Sequence, residues 1–181
     1  MTCPLPSMRL HALALFVTLQ AAAAQQGTLV VERGRAGSVA IGATADSVYR
    51  MFRGRAKLVD LQLEGHLSPA LELKRFGAQL IPSIIAEIGS SANGLVVWRL
   101  NVLDPGFRTK AGIGVGSTYA ELRAAYKIDW VGSGEEGYFA RVEELAISFQ
   151  LDTSGQVPLS SIRDPARVPP GVRITSMLLT P

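Results

Sequence analysis

One short phrase stands twice in this chain, 74 positions apart. The stretch from Val39 to Phe52, built around Ile41, Gly42, Thr44 and Val48, returns from Ile113 to Tyr126 around Val115, Gly116, Thr118 and Leu122. The glycine and the threonine are identical in the two copies, and Val39/Ile113, Ile41/Val115, Val48/Leu122 and Phe52/Tyr126 keep apolar character and similar volume. A phrase repeated at a fixed period is first a packing solution: one supersecondary unit made twice, each copy burying the other's apolar face. The repeat therefore constrains architecture much more than chemistry.

Within each copy the periodicity changes at the glycine. Residues before it alternate; after it, Val48, Met51 and Phe52 in one copy and Leu122, Ala125 and Tyr126 in the other fall at i, i+3 and i+4, the spacing of a helix with one apolar stripe. Thr118 with Glu121 spells a capping box, in which the hydroxyl satisfies a free helix amide and the carboxylate reaches back to the cap residue; Thr44 with Ser47 is a weaker version. Gly42, Thr44, Gly116 and Thr118 are thus expected as structural turns between strand and helix. Extended segments follow each helix, at 57–63, 70–74, 84–88 and 95–102 in the first half and at 128–131, 139–142, 145–151 and 172–179 in the second. Short loops between successive strands make hairpins. The expected fold is α+β: a tandem repeat of a short helix followed by antiparallel strands, with the helices packed on the sheet. The first repeat spans 25–103 and the second 104–181, joined through Leu103–Lys110 and packed as one globular unit.

The first 24 residues read as export rather than fold. Arg9 precedes the apolar run Leu10–Leu19, and Ala22 and Ala24 supply a small-residue cleavage pattern before Gln25. Met8 is an alternative start that leaves a signal of ordinary length. The run is shorter than the roughly 18 apolar residues a membrane-spanning helix needs. A signal peptide at 1–24 implies a periplasmic or secreted protein of 157 residues, long enough to bury a core. Cys3 is the one cysteine, and it precedes the apolar run, so the exported chain would be cysteine-free. That excludes thiol catalysis, disulfides and thiolate metal sites. Without Arg9, 17 basic residues face 15 acidic ones, a balance of +2 that gives no reason to expect nucleic acid.

The segments Ala36–Thr44 and Asp104–Thr118 resemble the paired repeat starts of uncharacterised secreted bacterial proteins that duplicate a Gly-x-Thr α+β unit. At fold level the same unit is similar to the BamE outer-membrane assembly lipoproteins and to the duplicated β-lactamase inhibitor proteins. That resemblance implies protein binding without catalysis. The chain lacks BamE's lipid-acceptor cysteine and the inhibitors' disulfide cysteines.

Candidates for chemistry are few. The Gly-rich turn 111–118 has no lysine before Ser117 and Thr118, so it is not a phosphate loop, and no cofactor is implied. Asp60, Gln62 and Glu64 alternate on one strand face, and His66 continues that face if the strand runs past Gly65, with Leu61 and Leu63 pointing inward. Carboxylates beside an imidazole can move a proton or hold a metal, so Asp60, Glu64 and His66 are weak catalytic candidates. Glu135 and Glu136, between glycines, read as a hairpin tip, and Trp98 and Trp130, inside apolar strands, read as core.

Three function classes follow, in order of support. The first is an exported, non-catalytic binding protein of the bacterial envelope, meeting an unknown protein partner through a sheet face. The second is a small hydrolase or metal-dependent enzyme using Asp60, Glu64 and His66. The third is a binder of polyanions or of the membrane surface through Arg33, Arg35, Arg50, Arg53, Arg55 and Lys57, where only Glu32 and Asp46 oppose the charge.

Overall fold

The computed structural model describes residues 29–63, 65–75, 82–92, 94–134, 136–155 and 161–181. The expected signal peptide and Glu64 lie outside the described residues. The chain opens with three short strands, β1 (Val30–Glu32), β2 (Arg35–Ala36) and β3 (Val39–Ala40), and then helix α1 (Ala45–Met51). Four long strands follow: β4 (Ala56–Leu63), β5 (His66–Leu73), β6 (Ile84–Ser91) and β7 (Gly94–Val102). After β8 (Arg108–Thr109) come helix α2 (Tyr119–Ala125) and four more strands, β9 (Trp130–Gly134), β10 (Gly137–Val142), β11 (Ile147–Leu151) and β12 (Ile174–Leu179).

The expected α+β fold is not what forms. Among the described residues there are twelve strands in two sheets and only two α-helices, each seven residues long, so the protein is mostly β. Helices of two turns have no stability of their own. They are caps on a sheet far wider than themselves: eight antiparallel strands in the order β4-β5-β6-β7-β12-β11-β10-β9. The small sheet, β3-β2-β1-β8, escaped sequence reading because strands of two or three residues show no period. It includes β8, inside the stretch 103–110 read as a plain connector.

One row of the large sheet explains the core. Ala56, Leu73, Ile84, Val102, Met177, Phe149, Ala140 and Val131 are register partners, one from each strand in turn. From Leu73 onward every member is buried, and they join Val48 of α1, Tyr119 and Leu122 of α2, and Val31, Ala36 and Val39 of the small sheet in one apolar cluster. Both helices and the small sheet therefore pack on the same face. The two four-stranded halves meet where β7 pairs with β12 through Val102, Asn101 and Leu100 against Met177, Leu178 and Leu179. Behind that junction Asp104 accepts from Arg75, Ser83 and the Gly106 amide. Burial alone would raise its pKa, but those hydrogen bonds together with the Arg75 charge outweigh it and hold the carboxyl below its ordinary value.

The repeated phrase occupies matching places. Gly42 has φ +86° and Gly116 φ +88°. A Cβ at either would meet no atom within 4 Å, so glycine serves the left-handed backbone there rather than a close approach. Gly42 N–H donates to Val97 O on β7 at 2.7 Å and Val97 N–H returns to Ala43 O at 2.9 Å; Gly116 N–H donates to Ile174 O on β12 at 2.8 Å and Ile174 N–H returns to Ser117 O at 2.9 Å. Thr44 then caps α1 by accepting from Ser47 N–H, and Thr118 caps α2 in a complete capping box with Glu121.

Candidate functional site

Alternation sends every second strand residue to the other face of the large sheet. There the register row reads Lys57, Glu72, Ile85, Asn101, Leu178, Ser148, Arg141 and Trp130. This face is polar and charged. Arg99 on β7 pairs with Glu87 on β6, its Nε 2.6 Å from Oε1, and its Nη2 also comes within 3.5 Å of Glu136 in the β9–β10 turn. Around Arg99 the face is hollowed into a cleft, and Glu87 is left only 2% exposed.

Aromatic rings line this concavity. A Cβ on Gly132 would collide with the Trp130 indole, one on Gly134 would stand 3.1 Å from the Phe139 ring, and one on Gly89 3.2 Å from Trp98. Each ring thus leans over a glycine, covering backbone that has no side chain of its own. Trp98 and Trp130 are not core: they are 39% and 46% exposed. The Arg99 guanidinium sits 4.9 Å from the centroid of the Trp98 ring. Arg99, Trp130, Glu136, Phe139, Ser148 and Leu178 enclose a cleft of about 300 Å³. Glu136 is fixed there by its backbone, whose carbonyl accepts from Gln150 Nε2 at 2.5 Å, while Ser176 Oγ donates to Gln150 Oε1 at 2.9 Å.

The residues nominated for chemistry do not assemble. The chain reverses in the β4–β5 hairpin, so His66 lies opposite Leu63 instead of continuing the β4 face. Asp60 pairs with Pro69, on the same side as buried Leu71, whereas His66 is five residues from Leu71 and points to the concave side. Both are exposed, and Glu64 lies outside the described residues. Leu61, expected to point inward, shares the concave side with Ser68; it is Leu58 that stands in the row of Leu71 and Ala86. Among the described residues no group of three or more His, Cys, Asp or Glu side chains could hold a metal ion.

The basic residues of the first repeat are spread over several elements. Arg33 donates to the Glu143 carbonyl, Arg50 pairs with Asp46 on α1, and Arg55 lies over the Phe52 ring and donates to the Lys74 carbonyl. Among the described residues no helix is long and apolar enough to cross a membrane.

These features define a two-layer, mostly β protein whose eight-stranded sheet is covered on one face and cleft on the other. No protein-family model matches the chain, and no curated protein matches it. Among solved structures it is similar to the uncharacterized protein yfeY from Escherichia coli, with a TM-score of 0.56 and 11% sequence identity over 84% of this chain and 97% of that one. At such identity the likeness is one of fold alone. The concave face was missed in the sequence because tryptophan inside an apolar strand reads as core; the usable signal was a glycine two residues on, Trp130-x-Gly132, which leaves room for a ring to lie along its own strand.

Proposed function

We propose that this chain is an exported binding protein that engages a protein partner through the concave face of the large sheet, without catalysis. The observation that carries the reading is the pair of exposed indoles, Trp98 and Trp130, on one sheet face, with the largely buried Arg99 packed against Trp98. Tryptophan and arginine are the residues on which interfaces concentrate their binding energy. Asp60 and His66 point to opposite faces, which favours binding over the hydrolase alternative. Export is supported by Arg9, the apolar run Leu10–Leu19 and the alanines before Gln25; N-terminal sequencing of the periplasmic protein is expected to start at Gln25 or within a residue or two of it. Recovery of an intact Leu10–Leu19 segment would refute export. Origin by duplication is supported by the matching glycine turns and by a strand order in which each half runs from an outer edge to the shared centre.

The partner is tested with a photoreactive residue placed at position 98 or 130, against exposed Glu144 as control. One defined adduct is expected from 98 and 130 and none from 144, with the identified partner binding the purified protein in solution. Adducts formed equally from 144, or from none of the three positions, would refute the reading.

A further inference from the structure

The two halves of the large sheet carry the same irregularity at the same place. Gly42 N–H donates to the Val97 carbonyl, and Val97 stands opposite Ile88; Gly116 N–H donates to the Ile174 carbonyl, and Ile174 stands opposite Leu151. The next pairs along are Glu87 with Arg99 and Gln150 with Ser176, so each ladder skips one residue, Trp98 in β7 and Thr175 in β12. A bulge re-aims a side chain out of the regular alternation. Both bulges are closed by a hydrogen bond of one form: Arg99 Nε donates to Glu87 Oε1 at 2.6 Å, and Ser176 Oγ donates to Gln150 Oε1 at 2.9 Å. They differ in the residue left over. Thr175 is short and turns its hydroxyl back to Gln150, 3.3 Å from Oε1. Trp98 keeps its indole 39% exposed, with the Arg99 guanidinium carbon 4.9 Å from the ring centroid. Arg99 is itself tied down, through Nε to Glu87 and through Nη2, 3.5 Å from Glu136, and its side chain is only 14% exposed. On β6, Gly89 lies outside the left-handed region, and a Cβ there would stand 3.2 Å from Trp98 Cδ1, so this glycine makes room for the indole.

We infer that Arg99 is a positioning residue: tied to Glu87 and Glu136, it holds the Trp98 indole in one pose, so that the bulge in β7 presents a preset ring to the protein partner. The inference rests on the binding reading given above and adds how one of its two indoles is made ready. A planar guanidinium suits this place, because it can lie on an aromatic face while hydrogen-bonding in its own plane, which an ammonium cannot do. A ring already held in its bound pose spares the entropy of fixing it at binding.

The test moves the second-half pair into the first, as Glu87→Gln with Arg99→Ser, a combination the fold already carries at the matching bulge. In Trp130→Phe protein, where Trp98 is the one indole, time-resolved fluorescence anisotropy is read with and without the exchange. The ring is expected to move with the whole molecule before the exchange and to swing independently on the nanosecond scale after it. With Trp130 intact, the partner recovered through position 130 should bind the exchanged protein about two- to tenfold more weakly, the cost of ordering one side chain at binding. Arg99→Lys, which keeps a cation beside Glu87 but not the plane, should free the ring in the same way, so the answer does not depend on the double variant folding. An indole whose motion neither variant changes, or a freed ring with unchanged affinity, would overturn the proposal. Its failure is separable from failure of the binding reading. Adducts from positions 98 and 130 with a ring unmoved by the variants would sink the positioning role and leave the face. A freed ring without any adduct from those positions in the parent protein would sink the protein partner and leave Arg99 as the group that sets the ring.

Discussion

The two halves of the molecule share a plan and differ in what seals them. In the first half α1 stands on β4–β7, and Tyr49, Met51, Leu58, Leu67 and Leu95 are all exposed, Leu67 by 71%. In the second half α2 stands on β9–β12, and its Tyr119 and Leu122 are completely buried. The cause is the placement of the long connection. Residues 92–93 join β6 to β7, whereas 152–173 join β11 to β12, and the described end of that longer stretch lies over α2. Tyr119 Oη donates to the Pro165 carbonyl at 2.8 Å, Tyr138 Oη donates to the Ile162 carbonyl at 2.9 Å, and the amides of Tyr119 and Ala120 donate to Val172 and Pro170. One helix-on-strands unit is thus finished by a folded-back loop in the second half, and among the described residues no such loop covers α1 in the first.

The contrast breaks most visibly at Tyr119. Tyr119→Ala should cost about 3–5 kcal/mol in urea unfolding, a large aromatic lost from a fully buried site, and it also orphans the Pro165 carbonyl. A small effect would mean that the loop does not seal α2. At the turns the halves should behave alike. Gly42→Val and Gly116→Val should each lose on the order of 1–3 kcal/mol, because both put a β-branched residue at positive φ with open space around it. Unequal losses would argue that the two turns are not equivalent.

The caps should differ. Thr118→Ala should cost about 1–2 kcal/mol and Thr44→Ala nearer 0.5–1 kcal/mol, since the Thr118 hydroxyl both accepts from the Glu121 N–H and donates to Glu121 Oε2 at 2.9 Å, the carboxylate that also accepts from the Thr118 N–H at 2.6 Å. That hydrogen bond, first among its causes, holds the Glu121 pKa below its ordinary value. A depressed carboxyl adds stability at neutral pH and loses it as pH falls through the folded-state value, so Glu121→Gln should flatten acid unfolding. At the alkaline end burial pushes the Tyr119 phenol up to about 12. Its unfolded counterpart ionises near pH 10, so stability should fall as pH rises from about 10 to 12, and Tyr119→Phe should remove that loss. The smallest effect belongs to the unsealed half: Met51→Ser or Leu67→Ser should change stability by less than about 0.5 kcal/mol.

What could be read from the sequence was whatever a single residue type enforces. Positive φ demands a glycine and a helix start favours a hydroxyl, so Gly42, Thr44, Gly116 and Thr118 announced their turns. The long strands were legible through alternation. The balance of the fold was not, because two seven-residue helices resemble the helices of an α+β layer until the eight strands beside them are joined into one sheet. The β4–β5 face was equally hidden: Leu58 and Leu61 lie on opposite sides of one strand, and a shift of one residue exchanges the sides. His66 failed as Asp60's neighbour for a related reason, since the hairpin turn reversed the chain between them.

The chain has two tryptophans, and both stand on the uncovered face of the large sheet. Acrylamide quenching of their fluorescence in Trp98→Phe and Trp130→Phe, which isolate one indole each, tests that placement directly. Both indoles are expected to be readily quenched, with emission shifted toward that of water-exposed tryptophan. Blue-shifted emission resistant to quenching from both would mean that the face is closed, and would contradict the binding surface proposed for this protein.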